Sequence, residues 1–123
     1  MTAVDGDVLT EWHAICPVGR LLPDRGAAAL VGGVPVAVFL LRTGELFVVD
    51  NLDPCSGANV LSRGLVGDAG GVPKVASPMY KQRFDLRTGA CLDDPDRRVG
   101  VHHARIVDDV VEVALGGPPG APS

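Results

Sequence analysis

The stretch "SPMYKQRFDLRTG", residues 77–89, decides how the rest of the chain is interpreted. Its second half favours a short strand, Gln82–Leu86, followed by an Arg-Thr-Gly turn whose glycine permits a left-handed backbone. Its first half contains no cysteine or histidine, and its hydroxyl groups are those of Ser77 and Tyr80. Hydroxyls that keep their proton at neutral pH are poor metal ligands. The stretch therefore predicts a loop with the turn chemistry of a binding site but without soft ligands.

Outside this stretch, almost every apolar segment is short and rich in valine. Val34–Leu41 is apolar on both faces, which predicts a central strand covered on both sides. Gly32-Gly33 and Asp108-Asp109 each lie between apolar runs and predict two-residue hairpins. Residues 52–72 contain two glycine-rich patches and predict a long segment without regular structure, which in a compact domain is usually functional. About ten short strands separated by turn signals predict an antiparallel β-sandwich or barrel.

The composition is that of a single globular domain. The chain has 123 residues, of which 46% are hydrophobic and 21% charged, with 16 Gly and 10 Pro. A net charge of −4 without a Lys/Arg run argues against non-specific nucleic-acid binding. No secretory signal or membrane-spanning run is recognisable, and the three cysteines are unclustered, so we expect reduced thiols and a cytoplasmic protein. We expect a flexible N-terminus at 1–8, one β domain at 9–115 and a disordered tail at 116–123.

Two segments have the turn residues of an iron–sulfur site. A Rieske-type [2Fe–2S] site uses two loops, each of which provides one cysteine thiolate and one histidine imidazole. The loop patterns are C-x-H-x-G-x-x-L-S-x-G and C-P-x-H-G-x-x-F-D-x-x-T-G. Residues 54–64, "PCSGANVLSRG", match the first pattern at Leu61, Ser62 and Gly64. Residues 77–89 match the second at Pro78, Phe84-Asp85 and Thr88-Gly89. The chain thus resembles a Rieske-type domain in the parts of both loops that do not bind metal.

All four ligand positions of that resemblance hold other residues. They fall on Pro54, Ser56, Ser77 and Tyr80. Cys55 is one position away from the first, and because adjacent side chains of an extended segment point in opposite directions, we expect it to face away from the site. The resemblance therefore implies a Rieske-like fold without a cluster. We expect hydrogen bonds from the hydroxyls of Ser56, Ser77 or Tyr80 to backbone groups to hold the two loops instead.

The resemblance extends over about residues 9–115 and is more specific than the fold. The residues that carry it are Trp12 with Ile15-Cys16, Asn51 with Asp53-Pro54, Val60–Gly64, Ser77-Pro78 with Lys81-Gln82 and Phe84, and Cys91–Pro95. Together they resemble the small subunits of the soluble NAD(P)H-dependent nitrite reductases. In that family the large subunit holds FAD, a [4Fe–4S] cluster and siroheme, and reduces nitrite to ammonium in the cytoplasm during nitrate assimilation.

The resemblance implies a non-catalytic subunit that holds no cofactor or metal and docks on that large subunit. An alternative from another class is an electron carrier, a Rieske-type [2Fe–2S] ferredoxin or oxygenase component with unusual ligands. A free-standing regulatory or ligand-binding module on the same fold is a third. The adjacent pair His102-His103 on a predicted strand is expected to have one ring packed inside and one in solvent rather than to form a metal site.

The predicted docking face consists of residues 53–64 and 77–83, which form the two loops. Their basic side chains would give a positive patch on an otherwise acidic chain, which suits electrostatic complementarity with a partner. The residues predicted to bind the partner are Asp53, Arg63, Lys81, Gln82 and Arg83.

Overall fold

The computed structural model describes residues 11–116, so the predicted flexible N-terminus at 1–8 and all but the first residue of the predicted tail lie outside the described residues. Within them the chain forms nine strands. These are β1 His13–Pro17, β2 Arg25–Val31, β3 Val34–Leu40, β4 Leu46–Asp50, β5 Leu65–Ala69, β6 Val72–Ala76, β7 Arg83–Asp85, β8 Val101–Val107 and β9 Val110–Ala114. Two 3₁₀ turns, Val18–Arg20 and Leu61–Arg63, complete this part of the chain. No helix in this part is long and apolar enough to cross a bilayer.

All strand pairs are antiparallel and fall into two sheets, as the predicted all-β class requires. The larger sheet has six strands in the order β1-β9-β8-β4-β3-β2, and the smaller has three in the order β5-β6-β7. The edge strands β1 and β2 of the larger sheet contact each other, so this sheet curls into a nearly closed barrel. The predicted sandwich or barrel of short strands is therefore confirmed.

Strand β3 is the centre of the fold, as its continuous apolar sequence predicts. Every side chain from Val36 to Phe39 is fully buried. Ala37 and Phe39 belong to a core that also contains Leu61, Val75 and Phe84, residues of the smaller sheet and of the segment before it. Val36 and Val38 point the opposite way, into a second core with residues of β4 and β9. One strand thus separates two hydrophobic cores because its side chains alternate between faces.

Both predicted two-residue hairpins are present. Gly32 and Gly33 connect β2 to β3 with φ angles of 55° and 84°, and Asp108 and Asp109 connect β8 to β9 with φ angles of 51° and 64°. Two consecutive residues in the left-handed region match the twist of the flanking strands, which is why such turns favour glycine or aspartate.

The prediction that residues 52–72 lack regular structure is wrong in its second half. Leu65–Ala69 forms β5 and pairs with β6 through Gly70-Gly71, whose φ angles are 63° and 91°. The two glycines form the same hairpin signal as Gly32-Gly33. The strand was missed because Gly67 and Asp68 interrupt its apolar pattern.

Candidate functional site

The candidate site lies where two loops meet. Loop 1, residues 51–64, follows β4 and contains the 3₁₀ turn Leu61–Arg63, and loop 2, residues 77–82, connects β6 to β7. Both loops hold positions at which the Rieske resemblance expects ligands. Side chains from both loops converge on a single carboxylate, that of Asp53.

Asp53 is fully buried and joins the two loops. Its Oδ2 accepts a hydrogen bond from the hydroxyl of Ser77 at 2.5 Å and another from the hydroxyl of Ser56 at 3.1 Å. Its Oδ1 accepts from the backbone N–H of Cys55 at 2.9 Å. Hydrogen bonds to an ionised acceptor are stronger than neutral ones, and a buried carboxylate needs several of them. Asp53 with Ser56 and Ser77 is called the carboxylate clasp below.

The clasp refines the expectation that hydroxyl groups hold the loops. Ser56 and Ser77, two of the four former ligand positions, do form such hydrogen bonds. Their hydroxyls donate to a carboxylate rather than to backbone groups, although each also accepts from a backbone N–H, that of Ala58 for Ser56 and that of Met79 for Ser77. Tyr80 does not take part, and 61% of its surface is exposed.

Loop 2 is closed tightly on its first residue. The N–H of Ser77 donates to the carbonyl of Gln82 at 2.8 Å, and the N–H of Lys81 donates to the carbonyl of Ser77 at 3.0 Å. Lys81 has a φ of 66°, a left-handed conformation that a side chain with a Cβ adopts at some expense. The result is a compact loop from which Pro78, Met79 and Tyr80 project.

Loop 1 is organised by Asn51, whose role was not recognised from the sequence. Its Oδ1 accepts from the N–H of Ser62 at 2.7 Å, and its Nδ2 donates to the carbonyl of Asn59 at 3.3 Å. Its own carbonyl accepts from the N–H of Leu61. One buried amide therefore holds the returning half of the loop. A signal was available, because asparagine directly after a strand commonly caps a turn with its side chain.

The residue before it, Asp50, ties β4 to β8. Its Oδ2 accepts from the N–H of Gly100 at 3.0 Å, and its Oδ1 lies 2.7 Å from Nε2 of His102. The other ring nitrogen of His102 accepts from the N–H of Gly116, which places the ring proton on Nε2, facing Asp50. His102 is buried and His103 exposed, as predicted for adjacent residues of a strand.

The five predicted partner-binding residues occupy different environments. Arg63 and Lys81 are exposed. Arg83 donates two side-chain hydrogen bonds to Asp93, at 3.1 and 2.8 Å, and hydrogen bonds from its side chain and backbone lower the pKa of the Asp93 carboxyl. Gln82 is half-buried, and its Oε1 is buried without a hydrogen-bond partner among the described residues. Asp53 is fully buried and holds the two loops together, so its side chain is not available to a partner.

The residues at the former ligand positions do not fit a [2Fe–2S] cluster. Proline has no ligating group, and the two serine hydroxyls are engaged with Asp53. Cys55 packs its half-buried side chain against the core that contains Cys91, as expected for a residue that faces away from the site. Burial, followed by the charge of Asp53, raises the pKa of the Cys55 thiol, which disfavours the thiolate that metal binding requires.

The family model of the Rieske-like [2Fe-2S] domain matches residues 11–114 of this chain. The nitrite reductase (NADH) small subunit of Salmonella typhimurium is 41% identical over 106 residues, which cover 85% of this chain and 98% of the relative. The solved structure of the Escherichia coli protein NirD superposes with a TM-score of 0.81 at 38% identity, and covers 89% of this chain and all of that one (100%).

A third similarity is with part of a much longer protein. The nitrite reductase [NAD(P)H] large subunit of Klebsiella oxytoca is 47% identical over 89 residues, which are 72% of this chain but only 9% of the relative. In that protein, a segment similar to this chain is part of the same polypeptide as the remainder of the large subunit.

Proposed function

The chain belongs to the Rieske-like [2Fe-2S] domain family and, within it, to the nitrite reductase small subunits, and from this membership we propose that it is the non-catalytic small subunit of a cytoplasmic NAD(P)H-dependent nitrite reductase. It docks on a large subunit that holds FAD, a [4Fe–4S] cluster and siroheme and reduces nitrite to ammonium. This chain itself contributes no cofactor.

The similarity to the Klebsiella oxytoca large subunit carries this proposal. A domain that is part of a large subunit in one organism and a separate chain in another works next to the same partner in both. In the longer polypeptide, a covalent connection keeps this domain beside the rest of the large subunit. A small subunit has to bind the large subunit through its surface instead.

The hydrogen-bonded polar groups in and near the site support a scaffolding role rather than catalysis. Asp53, Asp50 and His102 are each engaged in hydrogen bonds inside the fold. A general acid or base has to reach the proton that it transfers, in a substrate or in an ordered water. Groups that are occupied in holding loops and strands together do not meet this requirement.

The alternative of a [2Fe–2S] electron carrier makes an opposite prediction about metal. A cluster would need ligands from Pro54, Ser56, Ser77 and Tyr80, and two of these are the hydroxyls of the carboxylate clasp. We expect the purified protein to be colourless and folded, without stoichiometric iron or acid-labile sulfide. Near-stoichiometric iron and sulfide with visible absorption would favour the carrier.

We place the docking face on loops 1 and 2 and on the residues beside them. Arg63 and Lys81 are exposed and have no ion-pair partner among residues 11–116, whereas Arg83 is neutralised by Asp93. On a chain with a net charge of −4, exposed cations on the two loops would favour contact with an acidic surface of the partner.

The test uses this chain and the siroheme-containing large subunit of the same organism, both purified. The wild-type chain is expected to bind and to raise nitrite reduction in the mixture. The double variant Arg63→Glu/Lys81→Glu should associate about tenfold more slowly at low salt, with the difference reduced at high salt. Its thermal stability should be unchanged, because exposed charges contribute little to folding.

Two results would change the proposal. If the wild-type chain neither binds the large subunit nor affects its activity, it is not the small subunit of that enzyme. If binding occurs but the charge-reversed variant binds with wild-type rates, the interface lies elsewhere, and the exposed face of the β8–β9 hairpin around residues 102–113 becomes the next candidate.

A further inference from the structure

Loop 2 presents an unusual surface for a short connection between strands. Pro78, Met79 and Tyr80 are consecutive and all exposed, with 50% of Met79 and 61% of Tyr80 accessible. Short loops in soluble proteins are mostly polar, and exposed aromatic and methionine side chains are enriched at protein–protein interfaces. The apolar pair Met79 and Tyr80, with the exposed Lys81 beside it, is called the loop 2 tip below.

The backbone that carries the loop 2 tip is held at its base by hydrogen bonds. Ser77 anchors the base of the loop through its N–H, carbonyl and hydroxyl groups, and the hydroxyl is itself fixed by the buried Asp53. Lys81 adopts a left-handed backbone conformation in which a non-glycine residue is strained. Strain of this kind persists where the surroundings enforce it and is concentrated at functional sites. A loop backbone that is already ordered loses little backbone entropy when a partner covers it.

We propose that Met79 and Tyr80 are the energetic anchor of the interface with the large subunit, and that Lys81 lies against an acidic rim around the pocket that receives them. This inference rests on the proposed function. It assigns most of the binding energy to apolar burial, while Arg63 and Lys81 steer the encounter. Interfaces generally concentrate their energy in a few central aromatic or apolar residues, whereas peripheral charges affect the association rate.

The similarity to the Klebsiella oxytoca large subunit explains why a separate chain needs an anchor. In one polypeptide, a covalent connection gives two domains an effective concentration of roughly millimolar, and weak contacts then suffice. A separate chain has no such connection. Its surface must supply the missing affinity, and a preorganised apolar tip is an efficient way to do so.

Charge favours the large subunit over a second copy of this chain as the occupant. A two-fold dimer through the loop 2 tips would bring two Lys81 side chains towards each other, in a contact between two acidic chains. Two apolar side chains from each copy would also bury far less than the roughly 1,000 Å² that a specific interface requires. A larger partner can provide both a recess and an acidic rim.

The experiment compares apolar truncations of similar exposure, one at the loop 2 tip and one in the segment before β2. The test variant is Met79→Ala/Tyr80→Ala. The control is Leu22→Ala, since Leu22 is exposed to the same 61% as Tyr80. Leu22 belongs to neither loop and lies two residues before Asp24, whose backbone N–H donates to the carbonyl of Leu40.

Binding of each variant to the purified large subunit is measured by surface plasmon resonance, and folding by circular dichroism and thermal unfolding. The test variant should bind at least about thirtyfold more weakly, mainly through faster dissociation, because anchor residues contribute at this level. Leu22→Ala should bind as the wild type does. Tyr80→Phe should keep nearly all of the affinity, since the ring rather than the hydroxyl is buried.

The outcomes distinguish a failure of the proposed function from a failure of the anchor assignment. If the wild-type chain does not bind at all, the proposed function fails. If the wild-type chain binds and the test variant, folded, binds within about threefold of it, the anchor assignment is overturned although the function stands. If light scattering shows that the free wild-type chain is a dimer and the test variant a monomer, the tip is occupied by a second copy, which also overturns the assignment.

Discussion

The tripeptide Arg-Thr-Gly occurs twice, at residues 42–44 and 87–89, and the two turns share the conformation of the glycine and the hydrogen bond of the threonine. Each threonine Oγ1 accepts from the N–H two residues later, that of Glu45 at 3.3 Å in the first turn and that of Ala90 at 3.2 Å in the second. The glycines have φ angles of 94° and 80°. In each turn the arginine N–H donates to an aspartate, Asp24 or Asp85.

The surroundings of the two turns differ. At Gly44, a Cβ would meet nothing within 4 Å, whereas at Gly89 it would lie 2.1 Å from the carbonyl oxygen of Val99. The side chain of Asp24 is 36% exposed and that of Asp85 only 9%. Local sequence therefore reproduces the threonine hydrogen bond and the glycine conformation, but tertiary packing determines how much stability depends on the turn.

The largest difference between the turns should appear when their glycines are replaced. Gly89→Ala forces a left-handed alanine against a backbone carbonyl that cannot move aside, and should lower the free energy of unfolding by about 4 kcal/mol. Gly44→Ala has backbone strain alone and should cost about 1 kcal/mol. Urea unfolding of both variants measures the difference. Equal losses would mean that the packing around Gly89 relaxes freely and that the turns are equivalent.

The carboxylate clasp offers a second comparison between a buried and a more exposed group. Its Asp53 is buried more deeply than Asp85. Asp53→Ala removes the acceptor of three hydrogen bonds and leaves two hydroxyls and an N–H without it, and should destabilise the fold by about 3 kcal/mol. Ser56→Ala, at the half-buried end of the clasp, should cost about 1 kcal/mol. Urea unfolding of both variants is the measurement. A loss below about 1 kcal/mol for Asp53→Ala would show that water replaces the clasp.

These contrasts show which features of the fold and of the site can be predicted from the sequence alone. The hairpins at Gly32-Gly33 and Asp108-Asp109 and the doubly covered strand β3 follow from local pattern, because each depends on residue types that are close in sequence. The clasp does not, because Asp53 and Ser77 are 24 positions apart and meet only when both sheets are formed. Asp53 and Arg83 were predicted to bind the partner, and the sequence did not show that Asp53 is buried or that Arg83 pairs with Asp93.

The aspartates that hold the two arginines should differ less than the glycines. Asp85→Ala removes a mostly buried acceptor of the Arg87 N–H and side chain, and should cost about 2 kcal/mol. Asp24→Ala should cost less than about 1 kcal/mol, because 82% of the Arg42 side chain is exposed and exposed ion pairs are weak. Thermal unfolding of the two variants at the same pH provides the test, and a larger loss for Asp24→Ala would contradict the order.

Acid should weaken the second turn through Asp85. Burial raises the pKa of this carboxyl, but hydrogen bonds from the Arg87 side chain and from the N–H groups of Arg87 and Thr88 outweigh it and hold the pKa below its ordinary value. The contribution of Asp85 to stability is therefore fully present above its unfolded-state pKa, about 3.9, and is lost as the pH falls through the lower folded-state pKa. The stability difference between the wild type and Asp85→Asn should shrink from pH 6 to pH 3. A constant difference would rule out this linkage.

The threonines should give the smallest effects and the closest agreement between the turns. Thr43 and Thr88 are both exposed, and each accepts one hydrogen bond from an N–H that water can reach once the hydroxyl is removed. Replacement by alanine should therefore cost no more than about 0.5 kcal/mol at either position. Urea unfolding measures the loss in the free energy of unfolding for Thr43→Ala and for Thr88→Ala. Because the two losses should be almost equal, both variants are compared with the same preparation of the wild type. A loss at Thr88 that exceeds the loss at Thr43 by more than about 1 kcal/mol would mean that the packed surroundings of the second turn act on its exposed side as well, and the separation between local turn form and tertiary packing would not hold.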